Sequence, residues 1–226
     1  MRTILVVGAS RGIGATIAHL AEAQFQVYSI SRTSPEKTGS LHFSCDVLTD
    51  PLPIIDEPLS GLVYCPGSIN LKPFAGIKAN EFRQDFEINL LGAVRCLQHY
   101  QRNLQASDVA SVVLFSTVAV QTGFPYHATV AAAKGAVEGL TRALAAEWAP
   151  KIRVNAIAPS LTDTPLAERL LSDDTKKQAA AARHPLRRIG AAEDIAQMAM
   201  FLLSDKASWI SGQIMHVDGG VSAIRT

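Results

Sequence analysis

Neither sign of charge dominates this sequence: 21 lysines and arginines stand against 20 aspartates and glutamates, a formal net charge of +1. A chain so balanced offers no strong field to a polyanion, so neither nucleic acid nor an anionic membrane is an expected partner. Long apolar runs are missing as well. None approaches the roughly 20 residues that a membrane-crossing helix needs. The opening run Ile4-Leu5-Val6-Val7 is too short for a signal-peptide core and ends in a glycine loop. Cysteine is scarce: Cys45, Cys65 and Cys96 are odd in number and lack metal-ligand spacing. They read as reduced thiols of a cytoplasmic protein with no metal site. Repeats, low-complexity tracts and linkers are absent too. With 226 residues, 48% of them hydrophobic, the chain is expected to form one domain over 1–226.

What is present is an alternation. Short β-rich apolar runs at Ile4–Val7, Val27–Ile30, Leu41–Ser44, Gly61–Tyr64, Val112–Phe115, Arg153–Ala158 and Ile214–Val217 are separated by stretches of helical spacing. Those stretches are Gly14–Gln24, Ala79–Leu104, Thr129–Ala149 and Glu193–Leu203. Strands alternating with helices predict an α/β fold, a single doubly wound Rossmann domain on a parallel seven-stranded sheet. One connection is too short for a crossover helix. Residues 47–60 carry Pro51, Pro53 and Pro58, so a loop or a single helical turn is expected between the third and fourth strands.

The first strand runs into Gly8-Ala9-Ser10-Arg11-Gly12-Ile13-Gly14 and then into a helix. Glycines in that place let backbone N–H groups approach a pyrophosphate at a helix N-terminus, so Gly8, Ser10, Gly12, Ile13 and Gly14 are candidate dinucleotide ligands. The residues after the second strand select the dinucleotide. A carboxylate there would hold the ribose hydroxyls of NAD, whereas arginine accepts the 2′-phosphate of NADP. This chain has Ser31-Arg32 with no acid beside them, and it carries Arg11 in the glycine loop. Two guanidinium groups able to clamp a phosphate favour NADP(H).

From Ser111 to Trp148 the chain reads SVVLFSTVAVQTGFPYHATVAAAKGAVEGLTRALAAEW. This resembles the catalytic strand and helix of the short-chain dehydrogenase/reductase family, in its 3-oxoacyl-carrier-protein-reductase-like branch. The resemblance runs nearly end to end. Cys45-Asp46-Val47 is similar to the segment that holds the adenine, and Gly67 to the glycine beside the adenosine ribose. Phe86-Glu87-Ile88-Asn89-Leu90 matches the helix whose Asn belongs to the proton relay. Val154-Asn155-Ala156-Ile157-Ala158-Pro159 leads into the nicotinamide loop, where Pro159, Ser160, Thr162 and Thr164 are placed to contact the cofactor. His184-Pro185-Leu186-Arg187-Arg188-Ile189-Gly190, Ser211-Gly212-Gln213 and Val217-Asp218-Gly219-Gly220 complete the pattern. In relatives the long apolar helices form the subunit interface, which implies a homodimer or homotetramer. The segment 164–185 is the expected substrate lid.

The pattern breaks where the chemistry is done. The family places a Tyr four residues before Lys134, and this chain has Val130. The usual Ser position is Thr117, whose hydroxyl retains the ability to bond a carbonyl. Pro66 stands where a backbone N–H is usual and has none to give. Lys134, which in the family also bonds the nicotinamide ribose, and Asn89 remain. Tyr126 and His127 lie nearby as candidate replacement donors. His127 would share a helix face with Lys134 if the helix already covered it, whereas Pro125 places helix entry close to Tyr126. The expectation is an NADP(H)-dependent oxidoreductase that transfers hydride to a carbonyl or activated double bond of a small apolar molecule. The alternative is a catalytically silent NADP(H)-binding protein or partner subunit.

Overall fold

The structure is a computed structural model describing residues 1–35 and 38–225. In chain order its elements begin β1 (Arg2–Val7), α1 (Gly12–Ala21), β2 (Phe25–Ser31), β3 (Leu41–Ser44) and β4 (Gly61–Tyr64). They continue with α2 (Ala79–Phe86), α3 (Gly92–Ala106), β5 (Ala110–Phe115), α4 (Val118–Thr122) and α5 (Ala128–Trp148). The last are β6 (Ile152–Pro159), β7 (Thr162–Asp163), α6 (Asp174–Arg183), β8 (Gly190–Ala191), α7 (Ala192–Leu203) and β9 (Ile214–Val217). Seven strands form one parallel sheet in the order β3-β2-β1-β4-β5-β6-β9. The expected doubly wound sheet is therefore present, and the order reverses direction beside β1.

The period of two along each strand divides the core. Leu5, Val7, Tyr28, Ile30, Val112 and Leu114 pack with α3 and α5, through side chains such as Leu97, Tyr100, Leu104 and Val137. Ile4, Val6, Val27, Val113 and Phe115 face the other way, against Ile17 and Ala21 of α1 and Ile195, Ala199 and Leu203 of α7. Both faces of the sheet are covered, which is why the strands read as continuous apolar runs.

Residues 47–60 form neither helix nor strand, as their prolines predict. The stretch is an irregular strap whose backbone carbonyls are bonded by side chains of α3. Arg95 donates to Val47 O and Asp50 O at 2.6 Å each, Tyr100 to Pro53 O at 2.7 Å, and Asn103 to Ile55 O and Glu57 O at 2.5 and 3.1 Å. Leu52, Ile55 and Leu59 fill the space a crossover helix would occupy. A second short connection escaped the sequence reading: the described residues between β2 and β3 form no helix either. There Glu22, Ser29, Thr38, Ser40 and His42 join in a polar cluster.

Several boundaries differ from expectation. The first helix ends at Ala21, because Phe25 already starts β2. The stretch read as one helix over 79–104 is two, joined by a π-helical turn at Glu87–Leu91. The helix after Thr129 begins at Ala128, with His127 as its N-cap at φ −95°. His127 thus precedes the helix instead of lying on its face with Lys134.

Candidate active site

The loop after β1 is built by exclusion of side chains. Gly8 and Gly12 have φ of +83° and +58°, a region glycine occupies without strain. A Cβ on Gly14 would lie 2.2 Å from Gly8 O, and one on Gly8 would lie 2.9 Å from Pro66 Cδ. The start of α1 is therefore pressed directly onto the strand end, and its N-cap Arg11 makes no side-chain cap bond, as pyrophosphate binding at a helix N-terminus requires. Ser10 is half-buried in this loop and Arg11 is exposed. Ser31 ends β2 and Arg32 follows it, and Cys45, Asp46 and Val47 follow β3, where Asp46 accepts from Leu48 N at 3.0 Å. Pro66 and Gly67 follow β4. All these candidates lie at the carboxyl edge of the sheet around the reversal in strand order, the place where open α/β sheets bind ligands. Among the described residues neither Arg11 nor Arg32 has a side-chain hydrogen bond or ion pair. The cradle fits a dinucleotide.

Next to the cradle lies a cavity of about 500 Å³. It gathers candidates from distant parts of the chain: Ile13, Gly67, Thr117, Tyr126, His127, Val130, Lys134, Pro159, Ser160, Thr162 and Thr164. Its remaining wall is largely apolar, from Ile69, Leu71, Phe115, Phe124, Leu161, Leu166 and Leu170. Asn89 does not line it. The residue lies behind Gly67, where a Cβ would stand 3.1 Å from Asn89 Oδ1 and 3.5 Å from Lys134 Nζ. The π-helical turn carries Asn89 inward, and its Nδ2 donates to Ser68 Oγ and Asp85 O at 2.8 Å each.

Lys134 is 8% exposed and makes no hydrogen bond among the described residues. Burial lowers its ammonium to about 8, while Cys65 and Asp85 pull in the opposite direction. Cys65 is itself pushed up to about 12 by burial, so it is an inert thiol and packs as a small apolar residue. Val130, 5% exposed, lines the cavity one helical turn before Lys134. Its isopropyl group neither donates nor accepts.

The strand-end residues divide as alternation predicts. Ser116 Oγ donates to Glu138 at 2.8 Å, whereas Thr117 caps α4, its Oγ1 accepting from Ala119 N at 3.3 Å. That leaves the Thr117 hydroxyl proton free for the cavity. Tyr126 stands at the rim, 59% exposed and at φ +70°, its carbonyl held by Lys72 N at 3.1 Å. His127 bonds Pro125 O through Nδ1 at 2.8 Å.

On the opposite wall, His184 is buried with Nδ1 2.8 Å from Ala180 O and Nε2 2.9 Å from Ser160 Oγ. A carbonyl oxygen brings no proton, so Nδ1 carries it and Nε2 accepts from Ser160. Thr162 and Thr164 likewise donate their hydroxyl protons to backbone carbonyls. Three hydroxyl oxygens with free lone pairs therefore face the cavity.

Known proteins match this architecture. A family model described as Enoyl-(Acyl carrier protein) reductase matches residues 56–222. The chain belongs to the short-chain dehydrogenase/reductase family. Bovine (Bos taurus) L-xylulose reductase is 32% identical over 236 residues, covering 98% of this chain and 97% of the relative. Ligand-free aldohexose dehydrogenase from Thermoplasma acidophilum superposes with a TM-score of 0.90 at 29% identity, covering 100% of this chain and 96% of that one. An NADP-bound structure from Beutenbergia cavernae gives 0.90 at 30% identity, covering 99% and 97%. As a member of the family the chain is an oxidoreductase, built to bind a nicotinamide cofactor and act on a small molecule. Among the described residues no helix is long and apolar enough to cross a membrane.

Sequence reasoning missed three polar residues of this site. Asp85 had a signal: it lies four residues before Asn89, on the same helix face. Ser68 directly follows Gly67, and His184 stands in both the matched 184–190 segment and the expected lid, so each had a positional signal but none for its hydrogen-bonding role.

Proposed function

We propose that the chain is an NADP(H)-dependent reductase of a carbonyl or activated double bond on a small, mainly apolar molecule. The observation that carries this reading is the buried Lys134 at the floor of a largely apolar cavity that opens beside the glycine cradle. NADPH, when bound, supplies the hydride. Arg11 and Arg32 take the 2′-phosphate, and the absence of a carboxylate beside Arg32 in the sequence favours that phosphate over a free ribose hydroxyl. The loop from Gly8 to Gly14 holds the pyrophosphate. Cys45, Asp46 and Val47 hold the adenine, with Pro66 and Gly67 beneath the adenosine ribose. Lys134 bonds the nicotinamide ribose. Ser160, Thr162 and Thr164 accept from the carboxamide, because their own protons are already donated. Pro159 shapes the same loop. The Beutenbergia structure, with NADP bound at low occupancy, is in keeping with this choice of cofactor.

Thr117 donates to the substrate oxygen. Asn89 holds the turn of chain on which Lys134 rests, and the segment 164–185 closes over the substrate as a lid within the single 1–226 domain. For the proton, the cavity offers Tyr126, His127 and Lys134. The exposed small-residue face of α5, where a Cβ on Gly139 would meet nothing within 4 Å, supports association into a homodimer or homotetramer. Three free thiols support a cytoplasmic location.

The test is NADPH consumption against diketones, quinones, enones and 3-oxoacyl thioesters, with NADPH fluorescence read in the same wells and NADH run in parallel. Consumption of NADPH in preference to NADH is the expected result. Enhanced fluorescence with no consumption across the panel would replace the reductase with a silent cofactor binder.

A further inference from the structure

A buried charge beneath Gly67 is unexplained by cofactor binding. Asp85, at the end of α2, is 3% exposed. Its Oδ1 accepts from Ser68 Oγ at 2.6 Å, and its Oδ2 has no partner among the described residues. Asn89 donates to Ser68 Oγ, so the Ser68 hydroxyl accepts from Asn89 and passes its proton to Asp85: the direction of the chain is fixed. Ser68 N adds a long contact to Asn89 Oδ1 at 3.4 Å. Lys134 Nζ and Asn89 Oδ1 converge on the same spot, the missing Cβ of Gly67. Asp85 Oδ2 and Lys134 Nζ thus each lack a hydrogen-bond partner among the described residues, and Ser68 and Lys134 both open onto the cavity. A buried carboxylate is tolerated when it is paired, and the charge of Asp85 acts on Lys134.

We propose that Asp85, which Ser68 ties to Asn89 beside Lys134, is the counter-ion that keeps Lys134 in its ammonium form, and that Lys134 delivers the proton for which this chain has no tyrosine. The proposal rests on the reductase reading. As hydride reaches the substrate carbon, the C=O electron pair moves to oxygen, an Nζ–H bond of Lys134 breaks and an O–H bond forms. The neutral amine then takes a proton from water, and Asp85 favours its return. Lys134 is the catalytic residue and Asp85 a positioning residue. An amine whose midpoint burial brings down to about 8 is well matched to proton delivery near neutrality. The other titratable groups facing it are Cys65 at the end of β4, Tyr126 and His127 before α5, and Arg183 and His184 across the cavity.

Titration of 13Cε-labelled lysine by NMR tests this without turnover, with the Lys134 signal assigned by its loss in Lys134→Met. In Asp85→Asn the Lys134 midpoint is expected to fall by a unit or more, a tenfold weaker grip on the proton. Ser68→Ala is expected to lower it by less, and it carries the test should Asp85→Asn fail to fold. With an active substrate, the alkaline limb of the kcat profile should move down in step. An unmoved midpoint in folded variants overturns the pairing, and a moved midpoint with an unmoved alkaline limb overturns Lys134 as proton donor. If wild type turns over nothing while the midpoint still falls in Asp85→Asn, the reductase reading has failed and the pairing stands.

Discussion

The loop between β1 and α1 and the first turn of α5 face the same cavity, yet they are specified in opposite ways. In the loop the geometry admits few side chains: at Gly14 a Cβ would sit 2.2 Å from a carbonyl oxygen. At the head of α5 side chains line the cavity, Val130 among them. A site made of backbone is held by sterics, so its residues cannot change without loss. A site made of side chains can hand a task to a neighbour if the replacement is held in place. In the proposal above Lys134 is such a neighbour, and Asp85, 49 residues before it in sequence, is the group that holds it.

The largest effect should come from the backbone site. Gly14→Ala forces α1 away from Gly8 O, and a displacement of a few tenths of an ångström or more at the pyrophosphate cradle is expected to weaken NADPH binding at least ~100-fold, about 2.7 kcal/mol. Fluorescence titration measures it, and binding within threefold of wild type would show that the loop does not hold the phosphates.

Lys134→Met should come next, lowering kcat at least ~100-fold, in the range that proton-transfer catalysis is worth. The same change has a stability signature. A buried lysine whose folded midpoint lies below its unfolded value costs stability wherever the unfolded chain binds the extra proton. That cost builds up as pH falls from about 10.5 to about 8 and is constant below. Its ceiling is roughly 3 kcal/mol, and the loss of a partner for Asp85 offsets part of it. Thermal melts should therefore show Lys134→Met gaining on wild type at pH 7 and the gap closing towards pH 11. A gap independent of pH would mean that Lys134 is not buried as charge.

Arg11→Ala and Arg32→Ala touch the side-chain part of the cofactor site. Each is expected to raise the Kd for NADPH about tenfold, or 1.4 kcal/mol, with NADH unchanged. Equal loss for both dinucleotides would remove the 2′-phosphate from their task. The smallest effect is expected from the rim: Tyr126→Phe and His127→Ala should each change kcat by less than about threefold. A loss of ~100-fold at either would move the proton donor away from Lys134 and sharpen the contrast differently, with an exposed rim group serving in place of the missing phenol.

The sheet and the cradle were legible because their signals are local. Period-two apolar runs, three glycines after a strand and prolines over 51–58 each act on the backbone within a few residues. The strap could be read as a non-helix, but its attachment through Arg95, Tyr100 and Asn103 depends on long-range contacts. The π-helical turn at Glu87–Leu91 has no local signature, and it carries Asn89 inward. His127 was placed on the helix face from a seven-residue spacing, which fails once the helix begins at Ala128. The hydrogen-bond polarity of Ser160 and a neutral His184 follows from a single carbonyl, Ala180 O, supplied by α6.

The central claim is that this chain transfers hydride without a tyrosine at position 130, using Lys134. The measurement that tests it most directly is NADPH oxidation by wild type and Lys134→Met at saturating NADPH, on the best substrate of the carbonyl and enone panel. The account predicts measurable turnover by wild type and a kcat at least ~100-fold lower for the variant, with NADPH fluorescence showing that cofactor is bound in both. Equal turnover by the two proteins, or bound NADPH that wild type never consumes, would contradict it.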